Sequence, residues 1–107
     1  MAFFELRQYR IKDGRMDEWV AFMESEIIPF QVSKGMVVVG SFVAEEEDDL
    51  YIWIRRFESE EERAELYEAV YKDPVWTQGM SDRVGEIIDR ERIVVTRMLP
   101  TSRSVLQ

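Results

Sequence analysis

Glu5, Arg7 and Tyr9 are spaced two residues apart, so on an extended strand all three stand on one face. Trp53 and Arg55, within DLYIWIRRFESEEER (residues 49–63), repeat that spacing. An arginine on such a face can hold a carboxylate or phosphate, because its guanidinium is always charged and presents a rigid fork of donors. A tyrosine can donate to a carbonyl or oxyanion. A glutamate becomes a general base only if burial raises its pKa, and Arg7 beside Glu5 acts in the opposite direction. Trp53 with Arg55 makes an aromatic and cationic wall. Trp76, just after Asp73-Pro74, is placed to close one end of a cavity. Each residue also has a plainer role. Glu5 can pair with an arginine to set sheet register, Tyr9 and Trp53 can be packing, and Trp76 can anchor a core.

Missing residue types narrow the chemistry further. The chain has no histidine and no cysteine, which removes imidazole bases, thiol nucleophiles and the usual zinc and haem ligands. A metal would need carboxylates alone, and no Asp-x-Asp-x-Asp-Gly loop is present, so neither metal nor cofactor is expected. The acid run Glu45 to Asp49 reads as a solvated turn whose like charges oppose aggregation. A net charge of −8 repels nucleic acid and anionic membrane. No apolar run approaches the ~20 residues of a membrane span. The first residues are strand-like and charged from Glu5 onward, unlike a signal peptide. A cytoplasmic protein fits these features.

The elements that must position these residues emerge from periodicity. At 107 residues the chain is expected to form one domain over residues 1–107, with roughly two-thirds of its surface buried on folding. Residues 3–11 read as a strand. Met16, Trp19, Val20, Met23 and Ile27 have helical spacing from Gly14 to about Ile28, with Asp13 as N-cap and Pro29 disturbing or ending the helix. Trp19, Met16, Met23 and Met36 read as core. Residues 36–44 and the stretch after Asp49 make a hairpin. Ser59 and Glu62 form a capping box before a helix with a Leu66, Tyr67, Val70, Tyr71 stripe. Asp73 and Pro74 start a short helix to about Val84. Residues 92–100 are the last strand, and the tail 101–107 is expected to be extended, frayed or draped over a neighbour.

The order β-α-β-β-α-(short α)-β predicts an α+β, ferredoxin-like sandwich: four antiparallel strands with the main helices on one face. The aliphatic Ile52 and Ile54, with Phe4 and Leu6, are expected beneath the helices. Glu5, Arg7, Tyr9, Tyr51, Trp53, Arg55 and Phe57 are then expected on the uncovered face. A second copy packed sheet against sheet would cover it, giving a homodimer. One arginine per subunit would remain unbalanced by Glu5, so a cavity between the two sheets, lined by Arg7, Tyr9, Trp53 and Arg55, is expected to hold an anion or water. Glu86, Asp89 or Glu91 could neutralise it instead.

Four stretches, FELRQYRIKDGRMDEW, GMVVVGSF, RRFESEEERAELYEAVYKDPVW and MLPTS, together resemble the NIPSNAP domain over about residues 3 to 102. The resemblance implies a dimeric α/β-barrel arrangement. That superfamily includes oxygenases without metal or flavin, isomerases, cyclases, haem enzymes and ligand sensors, so fold does not select a reaction. Many relatives carry a histidine on the third strand where Trp53 stands here, and no role of that histidine transfers. Two classes stay open: a module binding a small hydrophobic or anionic molecule, or one serving only to dimerise, and a cofactor-independent enzyme acting on a small carbonyl compound or quinol.

Overall fold

Aromatic and β-branched runs form β1 (Phe3–Arg10), β2 (Val37–Val43), β3 (Leu50–Phe57) and β4 (Val94–Met98) in the computed structural model, which describes residues 2–107. They join in one antiparallel sheet, ordered β2-β3-β1-β4. The two strands that carry the candidate chemistry are therefore the central pair. Glu5 stands opposite Arg55, Arg7 opposite Trp53 and Tyr9 opposite Tyr51. The α+β class and the expected element order are both present. Between β1 and β2, α1 (Met16–Phe22) passes through a π-helical turn (Met23–Ile27) into α2 (Ile28–Ser33). After β3 come α3 (Glu60–Tyr71), a second π-type turn (Trp76–Met80), α4 (Ser81–Ile87) and a 3₁₀ turn (Arg90–Arg92).

Local signals behave unevenly. Ser59 caps α3 by accepting from the Glu62 N–H at 3.1 Å. Glu62 reaches back to the Glu58 N–H rather than to Ser59. Asp73 accepts from the Val75 N–H at 2.8 Å and opens the segment before Trp76. Asp13 is not a cap: α1 starts from Arg15, with no side-chain cap. Pro29 disturbs its helix without ending it. A proline has no N–H and crowds the carbonyl four residues back. The preceding turn widens, with the Ile28 N–H bonded to the Met23 carbonyl, and the helix continues to Ser33. Gly35, at φ 108°, turns the chain into β2.

The faces of the sheet are the reverse of the expectation. Tyr51, Trp53, Arg55 and Phe57 are 0–2% exposed and lie beneath the helices, as do Phe3, Glu5, Arg7 and Tyr9. Ile52, Ile54 and Leu6 are half-buried on the other face. The reason is that the helices bring polar partners with them. Tyr67, Tyr71, Arg63 and Gln31 reach Arg55 and Glu5, so the central ion pair finds most of its hydrogen-bond partners inside. The aliphatic positions, which need no partner, are left uncovered.

The tail folds back on its own chain, where the Gln107 carbonyl accepts from Arg56 at 2.7 Å. Leu106 lies near Phe4 at one end of the open face. Trp19, Met23 and Met36 are 1–2% exposed, as expected; Met16 packs against the cluster of Trp19 and Met23, and Met36 belongs to a second one with Phe3, Phe57 and Val70. No helix of the described residues is long and apolar enough to cross a membrane.

Candidate ligand-binding site

The centre of the helix-covered face is a polar network built around one guanidinium. Arg55 donates to Glu5 at 3.0 Å, Gln31 at 2.9 Å, Tyr71 at 2.8 Å and Tyr67 at 2.6 Å. Trp53 lies against its face at 4.7 Å. Glu5 also accepts from Arg63 and from the Tyr67 hydroxyl, each at 2.6 Å. Neither Glu5 nor Arg55 has exposed side-chain surface. Burial alone would raise the Glu5 pKa, but the bonds from Tyr67 and Arg63 and the Arg55 charge outweigh it and hold the carboxyl below its ordinary range. Burial pushes the Tyr67 hydroxyl up to about 12. The network is therefore a hydrogen-bonded ion pair in which the Arg55 Nε is left without a partner among the described residues, and the lowered pKa makes Glu5 a weak base.

Arg7 stands apart from it. Its Nε donates to the Tyr9 hydroxyl at 2.9 Å, and among the described residues no carboxylate pairs with it. Glu86, Asp89 and Glu91 do not reach it. Burial disfavours its charge, yet the surrounding phenol oxygens of Tyr9, Tyr67 and Tyr71 keep its pKa raised. Its charge in turn works against that of Arg55, so the two cations share one region with Glu5. Arg7 opens onto a cavity of about 260 Å³ walled by Tyr9, Tyr67, Tyr71 and Trp76, with Arg90 at the rim.

Of the residues singled out from sequence, the structure brings Arg7, Tyr9 and Trp76 to this cavity. Glu5 and Arg55 lie in the network behind it, and Trp53 packs over Arg55. The cavity lies between sheet and helices. An inter-sheet position for these residues is overturned, because their side chains point away from the open face. Sequence reasoning missed Tyr67, Tyr71, Arg63 and Gln31. The two tyrosines had a visible signal: they sit four apart on the buried stripe of α3, and a buried phenol needs a partner. Gln31 and Arg63 had none.

The arrangement can bind an anion and place aromatic surface around it. The lowered pKa of Glu5 and the raised pKa of Tyr67 make these two groups weak agents of proton transfer near pH 7.

Comparison with known proteins agrees with this architecture. A NIPSNAP family protein from Agrobacterium tumefaciens is 28% identical, with each chain covered over 100% and a TM-score of 0.88. A second one from that organism, described as of unknown function, is 28% identical over 99% of this chain and 94% of its own, also with a TM-score of 0.88. An uncharacterized NIPSNAP-like domain protein from Burkholderia xenovorans is 20% identical over 96% of this chain and 88% of its own, with a TM-score of 0.85; it shows shared fold alone. No match is found among curated proteins. The NIPSNAP family model matches residues 4–103, and the chain belongs to the NIPSNAP family.

Proposed function

We propose that the protein binds a small anionic molecule between its sheet and its helices, with Arg7 as the anchor for the charge. The observation that carries this reading is Arg7 itself. Its guanidinium sits inside an aromatic-walled cavity of about 260 Å³, with only the Tyr9 hydroxyl as hydrogen-bond partner among the described residues. A cation so placed is costly without a counter-charge, and the volume suits a small ligand. Binding is favoured over acid–base catalysis because Glu5 is held ionised. The test is thermal unfolding across a panel of small carboxylates. At a hundred times Kd a ligand adds about 2.7 kcal/mol, a rise in Tm of the order of 10 °C for a domain this size. The rise is expected in the wild type and absent in Arg7→Gln. A panel that stabilises both proteins equally, or neither, defeats the reading.

The protein acts as a homodimer through the open face of the sheet. Phe42, Val37 and Val94 are 46–55% exposed there, beside Leu6, Ile52 and Ile54. In a chain with 22 acidic residues, the register positions on this face include none. A second copy, otherwise repelled by like charge, meets no carboxylate at these positions, and the nearby Glu47, Asp49 and Glu58 are paired with Arg10 and Arg56 of the same face.

A further inference from the structure

Next to the Arg7 cavity, and deeper in the core, is a space of only about 20 Å³ among Trp19, Trp53, Tyr9, Gln31, Tyr71 and Trp76. It is large enough for one oxygen atom, since a single water needs roughly 10–15 Å³ by this measure. Two tryptophans on its wall are almost wholly buried, Trp19 at 1% and Trp53 at 2% exposed. Neither indole Nε1 has a hydrogen-bond partner among the described residues. Buried donors are rarely left in that state, because each loses its water without replacement. Both flank Tyr9, whose ring lies 5.8 Å from Trp19 and 6.4 Å from Trp53.

The polarity of this wall is one-sided. An indole nitrogen can only donate. The Gln31 amide oxygen is already engaged by Arg55, leaving its NH₂ on the Tyr71 side at a long 3.4 Å. The space therefore suits an atom that accepts and does not donate. Tyr9, Tyr71 and Trp76 line both this space and the Arg7 cavity. Trp76 is the wall with the weakest hold. It is half-buried, rests edge-on against Tyr71 at 4.9 Å, and stands at the start of a kink where Gln78 and Gly79 leave helical geometry.

We propose that the two spaces form one ligand site, so that the ligand is a small carboxylate carrying a carbonyl oxygen a few bonds from its charged end, with the carboxylate on Arg7 and the carbonyl oxygen between the Trp19 and Trp53 indoles. This rests on the reading of Arg7 as anion anchor. Three five-carbon probes separate the two contacts: 4-oxopentanoate carries both groups, pentanoate only the charge, and 2-pentanone only the carbonyl. The full chain, labelled with ¹⁵N, has three indole N–H signals, from Trp19, Trp53 and Trp76, assignable from Trp19→Phe and Trp76→Phe without altering Trp53.

4-Oxopentanoate is expected to bind about tenfold tighter than pentanoate, the worth of two modest hydrogen bonds, and to move the Trp19 and Trp53 signals downfield. 2-Pentanone moves the same two signals at higher concentration, in wild type and in Arg7→Gln alike. Equal affinity for the two acids, with both buried indole signals unmoved, overturns the inner subsite and leaves the Arg7 site standing. Acids that bind no tighter than 2-pentanone, with no effect of Arg7→Gln, overturn the anchor instead. No response to any probe overturns both.

Discussion

A carboxylate between two guanidiniums and a phenol behaves as a structural ion, and Glu5 is such a group. Its folded pKa is depressed, so its contribution to stability is fully present above the ordinary glutamate value of ~4.3. That contribution is lost as pH falls through the lower folded value. Glu5→Gln leaves Arg55 and Arg63 without their shared counter-charge and is expected to cost about 3–5 kcal/mol at neutral pH, measured by urea unfolding. The gap between wild type and variant should narrow from pH 5 downward. A gap that does not change with pH would show that Glu5 stabilises the fold by packing, not charge. Tyr67→Phe removes one bond to Glu5 and one from Arg55, each 2.6 Å, and is expected to cost about 2–3 kcal/mol. The network around Glu5 is only half legible in the sequence. A Glu5–Arg55 pair is readable from two strands that alternate, whereas Gln31 and Arg63 arrive from helices 24 residues before Arg55 and 58 after Glu5, and no local pattern announces them.

At the scale of elements, α3 is held at its start by a cap and along its buried side by two phenols. Ser59→Ala removes the oxygen that the Glu62 N–H donates to and is expected to cost about 1 kcal/mol. For a domain of this size that lowers Tm by roughly 4–8 °C, without changing ligand affinity, because the cap lies away from the cavity. The helix before β2 behaves in the opposite way. Proline normally stops a helix, yet a wider turn from Met23 to Ile27 carries this one past Pro29. Tertiary packing of Trp19, Phe22, Met23 and Ile27 outweighs the local preference. Alternation and spacing are enough to place the strands and the two main helices; the π turns depend on packing that a local pattern does not contain.

For the whole molecule, the proposed dimer rests on the open face of the sheet. Phe42→Glu or Ile54→Glu sets a carboxylate on each side of a two-fold contact, so each substitution is felt twice. We expect wild type to sediment as a dimer at micromolar concentration and both variants as folded monomers. A wild-type monomer with unchanged stability would remove the dimer from the proposal. The residues whose aromatic bulk points, in the sequence, to such a contact, Trp53 above all, are buried beneath the helices and would not report on it.

The amino-acid sequence by itself determined the α+β class, the strand and main-helix positions, and the pairing of Glu5 with an arginine. It also raised the expectation of a cation left over near Glu5, because the charged residues on β1 and β3 can be counted on one face, although it left open whether Glu86, Asp89 or Glu91 would neutralise it. Only the tertiary structure decided which face of the sheet the helices cover. Alternation with a period of two separates the faces but gives them no sign. The sign came from where the partners lay: Tyr67, Tyr71, Arg63 and Gln31 all belong to helices, so the charged face turned inward to meet them. A guanidinium is stable in a core when distant residues supply its acceptors, while a row of isoleucines tolerates either side.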